Sequence, residues 1–409
     1  MRRFIFLLFA LHICNVTLAQ ESATNQLKED VAFLASDELR GRETGTEGAQ
    51  KAADYIAYRM KKIGLKPLGS EGYFQLFSVT PKSNPHATEV DSNIKAIEGK
   101  NVIGFRDNGA VNTIVIGAHY DHLGMGGEGS LHAEGEAIHN GADDNASGVG
   151  LMLQLATILS AENDNFSKSN YLFIAFSGEE KGLWGSNYFC KNPTLEIEKI
   201  NYMLNFDMVG RFQSEKGLAI NGVGTSPAWK GSIATSNKKE IKLILGESGV
   251  GPSDHTSFYL VDLPVLHFFT GQHEDYHKPT DDVEKVNFDG IQNIAYFILN
   301  LITETGKSDK LEFTKTKDES KASPRFTVTL GVMPDYMFQG DGMRIDGVTE
   351  GKPAFKAGFE KGDIVVQMGE MKVDGMQTYM EALSKYKKGD STSVKVKRGE
   401  EIIETKLEF

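Results

Sequence analysis

The sequence predicts an α/β sandwich, with a largely parallel sheet between helices, followed by a smaller β-rich unit. Three observations support this fold class. Short continuous apolar runs, typical of strands buried on both faces, alternate with longer segments of helical periodicity. Near residue 305 the composition changes to a mostly charged stretch, which is typical of a linker. Short apolar runs and many glycines follow, and 409 residues suffice for two or three domains.

The predicted elements follow one another in a regular order. A short amphipathic helix at 27–34 and a polar loop at 36–46 precede a helix at 47–63, which ends at Gly64. Apolar runs and helical segments then alternate, as a parallel sheet covered by helices requires. The strands are predicted at 101–105, 113–118, 171–176, 202–206 and 264–269, the helices at 146–159, 183–190 and 289–302, and two short C-terminal helices at 352–357 and 376–384.

The first nineteen residues have the order of features of a secretory signal peptide. Arg2 and Arg3 precede an apolar stretch at 4–13, and small residues stand before the expected cleavage after Ala19. A buried first helix is the alternative. No later apolar run reaches the length of a membrane span. We therefore expect a secreted or periplasmic protein without a membrane span.

The net charge limits the possible partners of the protein, and the cysteine content limits its possible disulfides. The net charge of −12 argues against nucleic acid as a partner, because phosphate binding requires a basic surface. The chain has two cysteines, and Cys14 lies within the predicted signal peptide. Cys190 then remains alone, so the mature chain is not expected to contain an internal disulfide.

Histidines and carboxylates follow the predicted strands of the first unit. In a parallel α/β sheet, ligand sites form beyond the carboxyl ends of the strands. We therefore expect these side chains to meet at one edge of the sheet. They lie at 119–122, 143–144, 179–180, 207 and 273–277, in segments that each follow an apolar run or precede a predicted helix.

The mixture of imidazoles and carboxylates predicts a centre of two metal ions. Such ligands suit Zn²⁺, and Mn²⁺ or Co²⁺ are substitutes that the same ligands accept. Five strong ligands exceed one tetrahedral site, whereas two ions that share a carboxylate need about that many. The adjacent Glu179 and Glu180 support this interpretation, because repulsion opposes two neighbouring buried carboxylates unless cations compensate them.

Five motifs resemble, in order, the metal motifs of the bacterial co-catalytic di-zinc aminopeptidases: AHYDH, GADDNASG, FSGEEKGLWGS, NFDMVG and YHKPTDD. That superfamily also includes glutamate carboxypeptidase and glutaminyl cyclase. The resemblance covers about residues 27–305. It implies the same α/β sandwich and a metallo-aminopeptidase, which hydrolyses N-terminal residues from peptide substrates. With the predicted signal peptide, we expect this enzyme to be secreted.

The resemblance also implies roles for the motif residues. His119 and Asp207 would hold one zinc ion, Glu180 and His277 the other, and Asp144 would bridge them. The family pattern favours Asp144 over its neighbour as the bridge, and leaves Asp143 as a surface residue or a support for a ligand.

Four further residues have implied roles beside the metal ions. Glu179 would act as the general base toward the metal-bridging water, and Asp121 would hydrogen-bond the ring of His119. Tyr276 would donate to the oxyanion. Asp254, in a GPSDHTSF segment similar to one near the family's substrate pocket, would line that pocket or orient a ligand. Its alternative is a helix N-cap. The remaining histidines have no implied ligand role and are expected to be solvated or to support a ligand: His122, His132, His139 and His273.

Two C-terminal segments resemble a PDZ domain of bacterial proteases: TLGVMPDY at 329–336 and GKPAFKAGFEKGDIVVQMGEMKV at 351–373. Such a domain binds the C-terminus of a peptide as an added strand. The alternative is a unit that only packs against the catalytic domain. The expected organisation is a signal peptide at 1–19, a di-zinc peptidase domain at 20–305, a charged linker at 306–324 and a PDZ domain at 325–409.

Other functions remain as alternatives to the aminopeptidase. One is a carboxypeptidase or another hydrolase of the same superfamily. A glutaminyl cyclase is disfavoured, because those enzymes use one zinc ion and His119 supplies a further ligand. A different class is a PDZ-based peptide-binding protein with a structural metal site. Glu179 argues against it, because a structural zinc needs no base and structural sites favour cysteine.

Overall fold

The structure is a computed structural model, and it describes residues 24–81, 95–127, 129–132, 135–161, 164–316, 328–335, 338, 340–349 and 351–409. The predicted signal peptide at 1–19 lies outside these residues, as does most of the second half of the predicted linker. None of the helices in the described part of the chain is long and apolar enough to cross a membrane.

The N-terminal unit has a mixed sheet whose centre is parallel. Within the described residues its strands are β1 (Lys66–Pro67), β2 (Phe74–Val79), β3 (Ile97–Arg106), β4 (Thr113–His119), β5 (Asn170–Phe176), β6 (Ile200–Phe206), β7 (Leu218–Asn221), β8 (Leu243–Gly246) and β9 (Val265–Phe269). Their order is β1-β3-β5-β4-β6-β9-β7-β8, with β2 beside β3. The four neighbours β5, β4, β6 and β9 run parallel, and β3 and β7 join them antiparallel. The predicted fold class, a largely parallel mixed sheet between helices, is confirmed.

Helices cover both faces of this sheet. They are α1 (24–34), α2 (Glu47–Ile63), α3 (Gly148–Ser160), α4 (Trp184–Lys191), α5 (Trp229–Ser236), α6 (His255–Tyr259) and α7 (Phe288–Thr305). Every residue of the four central strands is buried, which explains why these strands are continuous apolar runs. Successive side chains of a strand point to opposite faces of the sheet. In β5, Phe173 packs in the core beneath α2, α3 and α7, whereas Ile174 packs in the core beneath α4 and α6.

Local signals set the boundaries of α2. The Thr46 side chain accepts a hydrogen bond from the N–H of Ala49 and caps the first turn. Gly64 ends the helix with a φ of 88°, a left-handed conformation that glycine adopts without steric cost. The structure therefore confirms the predicted bounds of this helix, 47–63.

The C-terminal unit is a small antiparallel structure with its own core. Its described strands are β10 (Val332–Pro334), β11 (Met343–Val348), β12 (Ile364–Met368), β13 (Met371–Lys372), β14 (Ser391–Arg398) and β15 (Glu401–Glu408), and its helices are α8 (Pro353–Lys356) and α9 (Met376–Leu383). The strand order is β10-β11-β12-β14-β15, with β13 beside β12. Side chains such as Leu330, Val365 and Val396 form the core.

The predicted linker at 306–324 is packed against the N-terminal unit over its first half. Leu311 is buried in the larger core, and the Phe313 ring lies 5.6 Å from the ring of Tyr259. The N–H of Thr314 donates to the carbonyl of Thr225 at 2.8 Å. Two apolar side chains and one main-chain hydrogen bond thus attach a stretch that its composition predicted to be a linker.

Candidate metal centre

The predicted ligands meet at the carboxyl edge of the parallel strands. His119 is the last residue of β4, Glu179 and Glu180 follow β5, and Asp207 follows β6. Asp144 belongs to the irregular turn Ala142–Ser147 in front of α3. His277 lies in the loop after β9 with a φ of 54°, and the carbonyl of Gly129 is 2.8 Å from its Nδ1.

Asp144 faces two separate groups with its two carboxylate oxygens. His119 Nε2 lies 3.4 Å from Asp144 Oδ1 and 3.4 Å from Asp207 Oδ1. His277 Nε2 lies 3.2 Å from Asp144 Oδ2 and 3.3 Å from Glu180 Oε2. The structure therefore brings together all five predicted ligands, with Asp144 between the two pairs.

The donor atoms fit two divalent cations. His119, Asp144 and Asp207 offer three donor atoms within 4.8 Å of one another, and His122, Asp144 and Glu180 offer a second such set. All of these side chains are largely buried, so the carboxylates concentrate negative charge that bulk water does not screen. Imidazole and carboxylate are ligands that Zn²⁺ prefers. Two cations shared through Asp144 would compensate this charge.

The two adjacent glutamates differ in their surroundings. Burial, together with the neighbouring Glu180 and Asp207 carboxylates, raises the pKa of Glu179 well above its usual range, against the opposing effect of His119. Burial also disfavours the charge of Glu180, but His277 and His122 together outweigh burial and the Asp144 carboxylate, and they lower the pKa of Glu180 to about 2. Glu180 is thus held as an anion suited to a cation, whereas Glu179 readily accepts a proton.

His122 also belongs to this cluster, although the sequence implied no ligand role for it. Its side chain is buried, and its Nδ1 lies 2.8 Å from Glu180 Oε1. Its Nε2 has no hydrogen-bond partner among the described residues. Burial excludes the solvated alternative for His122. The signal was available in the AHYDH motif, where His122 stands three residues after His119.

Replacing His122 with glutamine should weaken the metal site without abolishing it. Because His122 contacts the Glu180 carboxylate, its loss removes a support of a ligand, and such losses cost about 10- to 100-fold in metal affinity. Zinc content measured after dialysis against graded chelator concentrations would show this change. The matched control is His132→Gln, since His132 belongs to neither candidate donor set. Equal zinc retention by both variants would contradict the prediction.

Asp121 supports the centre in a way that differs from the prediction. Its carboxylate oxygen is 3.8 Å from His119 Nδ1, too far for the expected hydrogen bond. His119 Nδ1 instead lies 3.2 Å from the main-chain carbonyl of Asp121. The carboxylate accepts hydrogen bonds from Thr44 Oγ1 at 3.0 Å and from the N–H of Glu179 at 3.1 Å. The Asp121 carboxylate is therefore bonded to these two donors and not to the ring. Through the second bond, Asp121 also positions the Glu179 segment.

Further polar residues contact the turn that contains Asp144. Asp143 is fully buried, so its surface alternative is wrong, and its Oδ1 accepts a hydrogen bond from the N–H of Gly210 at 2.6 Å. His273 Nε2 lies 3.1 Å from Asp143 Oδ2, which supports the ligand-supporting alternative for that histidine. Asp281 accepts from the N–H groups of both Asp143 and Asp144, at 2.8 and 3.1 Å. The second half of the YHKPTDD motif thus fixes the turn that presents Asp144.

The predicted polar loop at 36–46 contains a structural residue that the sequence did not single out. Arg42 is fully buried, and its guanidinium donates to main-chain carbonyls. Its Nε bonds the carbonyl of Tyr120 at 2.8 Å, and Nη2 that of Gly141 at 3.1 Å. Nη1 contacts the carbonyls of Leu34 and Asn140. One side chain therefore connects the segment after His119 with the segment before Asp144.

The predictions for Tyr276 and Asp254 have different outcomes. The Tyr276 ring stacks on the ring of His277 with 3.8 Å between centroids, and it lines the cavity in front of the metal ligands. Its role toward the oxyanion stays a prediction.

Asp254 is fully buried at the start of α6, but its side chain makes no cap hydrogen bond and is not among the residues that line the cavity. Asp254 thus occupies the N-cap position of α6 without a capping hydrogen bond from its side chain, and its role in orienting a ligand stays a prediction. Burial raises its pKa to about 7, although His119 opposes this shift.

The cavity in front of the cluster has a volume of about 540 Å³. Its floor contains metal-ligand candidates and Glu179. Its walls combine apolar side chains, among them Met208, Val250 and Phe269, with polar groups such as Gln272. The space suits an organic ligand that presents one polar bond to the floor and apolar groups to the walls.

Comparisons with known proteins agree with this architecture. Residues 101–302 match the family model of peptidase family M28, and residues 312–409 match that of the PDZ domain. The chain is 26% identical over 275 residues to aminopeptidase YwaD of Bacillus subtilis, covering 64% of this chain and 56% of that relative. It is 25% identical over 320 residues to a probable leucine aminopeptidase of Trichophyton verrucosum, covering 73% and 79%. The chain spans between about half and two thirds of the length of the first curated relatives that it matches.

Solved structures share the fold of the N-terminal unit. A zinc aminopeptidase from Bacillus subtilis superposes with a TM-score of 0.53 at 18% identity, over 72% of this chain and 98% of that one. A glutaminyl cyclase from Porphyromonas gingivalis superposes with a TM-score of 0.54 at 17% identity, over 69% and 98%. The predicted resemblance to this superfamily and to a PDZ domain is thus confirmed. The chain belongs to peptidase family M28, and a PDZ domain follows its peptidase domain.

Proposed function

We propose that this protein is a zinc-dependent aminopeptidase that uses two zinc ions to hydrolyse the N-terminal residue of peptides. The observation that supports it best is the arrangement of Asp144, whose two oxygens face the His119–Asp207 pair and the His277–Glu180 pair. Family membership and the aminopeptidases among the relatives support the same reaction class. The secretory pattern of the first nineteen residues supports a secreted or periplasmic location.

His119 and Asp207 would hold one ion, and Glu180 and His277 the other, with Asp144 shared. When bound, the two ions supply Lewis-acid polarisation of the scissile carbonyl and lower the pKa of the attacking water. The protein holds these ligands on the ends of buried strands and on a turn fixed by Asp281. Little rearrangement is then needed during the reaction.

Glu179 is the proposed general base. Its Oε2 lies 4.0 Å from His119 Nε2, directly beside the candidate ligands, and it lines the cavity. Its main-chain N–H is bound by the Asp121 carboxylate, which restricts its position. Glu179 would take a proton from the attacking water and deliver it to the leaving amine.

Metal removal tests the proposal directly. The chain from residue 20 onward would be assayed with aminoacyl p-nitroanilides as purified, after chelation and after zinc is restored, with metal content measured in parallel. We expect two zinc ions per chain, loss of at least about 100-fold of activity on chelation, and recovery with zinc. Substrates with an acetylated amino group should resist hydrolysis.

Other outcomes would identify the alternatives. Cleavage of amino-blocked acidic peptides at their carboxyl end would replace the proposal with a carboxypeptidase. Cyclisation of an N-terminal glutamine with one zinc ion per chain would replace it with a glutaminyl cyclase. Two bound ions without any hydrolysis would indicate the peptide-binding protein with a structural metal site.

A further inference from the structure

The cavity above the metal ligands is not built from the peptidase domain alone. Met380 of helix α9, in the PDZ domain, lines it together with His277 and Phe269. Met380 is partly buried and also packs against the PDZ core. A single side chain thus connects the core of the C-terminal domain with the proposed substrate space.

The chain that leads to the C-terminal domain is attached beside the same cavity by a separate set of contacts. Thr316 Oγ1 donates to the hydroxyl of Tyr259 at 3.0 Å and accepts from the N–H of Gly249 at 3.4 Å. Gly249 lies within the segment 246–252, and most residues of that segment line the cavity. Thr316, the last described residue before residue 328, is therefore attached beside the cavity.

Met380 adds an apolar side chain to walls that already contain others. Met208, Val250 and Phe269 line the same cavity. A thioether side chain is flexible and polarisable, and it adapts to apolar groups of different shape. The PDZ domain would therefore contribute a surface that favours an apolar substrate side chain.

We propose that the PDZ domain forms part of the substrate pocket and that Met380 is a specificity-determining residue for apolar side chains of the peptide substrate. This inference rests on the proposed aminopeptidase function. It gives the C-terminal domain a role in substrate selection that is separate from capture of a peptide C-terminus.

The kinetic test compares Met380→Ala with Met371→Ala in the full mature chain. Met371 is a matched control, because it also packs against the PDZ core but does not line the cavity. For Met380→Ala, we expect the kcat/KM preference for leucyl or phenylalanyl over alanyl p-nitroanilide to change by about 10-fold, mainly through KM. Met371→Ala should leave the preference within about twofold. Equal preferences in both variants and the parent, in an active enzyme, would overturn the inference.

A second test does not depend on activity. Met380→Cys combined with Glu247→Cys, in a Cys190→Ala background, would be treated with a short bismaleimide and analysed by peptide mass spectrometry. Glu247 is exposed and lines the same cavity. We expect an intramolecular crosslink for this pair and little for Met371→Cys with Glu247→Cys. Crosslinking no better than the control would overturn the inference even in an active enzyme. A crosslink in a protein that hydrolyses no amide would leave the domain arrangement standing and remove the proposed function.

Discussion

Replacing Glu179 with glutamine should lower kcat for amide hydrolysis by about 10²- to 10⁴-fold while metal content stays unchanged. Glutamine keeps the size of the side chain but cannot accept the proton of the attacking water. Glu179 lies beside His119 without belonging to either candidate donor set, so its replacement should leave both sets intact. Steady-state kinetics and zinc analysis on the same preparation would separate the two effects.

A matched control for this variant lies in the loop that holds His277. Glu274 is exposed and three residues before that histidine, so Glu274→Gln makes the same chemical change outside the cluster. We expect its kcat to stay within about twofold of the parent. If Glu179→Gln retained a tenth or more of the parent activity, Glu179 would not be the general base. Loss of zinc from that variant would instead place Glu179 among the ligands.

Replacing Arg42 with methionine should destabilise the protein by roughly 3–5 kcal/mol, because it leaves several buried carbonyls without a donor. Burial lowers the pKa of Arg42 to about 10, with Asp121 and Asp144 acting in the opposite direction, so the side chain stays charged at neutral pH. At about 2–4 °C per kcal/mol, the melting temperature should fall by about 10 °C. Thermal unfolding of the metal-free protein would measure the loss without a contribution from metal binding.

Arg40 provides the control for this experiment. It lies two residues earlier in the same loop and also has a positive φ, of 47° against 50° for Arg42, but its side chain is exposed. Arg40→Met should change the free energy of unfolding by less than about 1 kcal/mol. An equal and small effect of both substitutions would show that the buried hydrogen bonds of Arg42 contribute little. The Arg42 variant should also bind zinc more weakly, because both segments that Arg42 connects contain ligand candidates.

Much of the fold was predictable because buried parallel strands leave a local signature. The apolar runs at 113–118, 171–176, 202–206 and 264–269 correspond to the four central strands, β4, β5, β6 and β9. The outer strands were missed because they are short or expose one face, as β8 and β2 do. The run at 101–105 covers only the more buried half of the longer β3, and its antiparallel direction has no local signal.

The metal ligands were predictable for a related reason. Parallel strands end at the same edge, so residues that directly follow them must be neighbours, whatever the loops between them do. This argument placed His119, Glu180 and Asp207 together before any coordinates. It does not assign hydrogen bonds between neighbours, and for that reason it did not show that Asp121 contacts the His119 ring through its main-chain carbonyl and not through its carboxylate.

The sequence by itself determined the fold class, the two domains and the set of side chains that meet at the sheet edge. Only the tertiary structure showed that Arg42 joins two ligand segments, that His122 contacts Glu180 and that Met380 reaches the cavity. The physical reason is the range of the contacts. Periodicity and strand ends are properties of neighbouring residues, whereas Met380 lies more than a hundred residues from the other side chains that line its cavity. Contacts of that kind depend on how whole elements and domains pack, which no local pattern records.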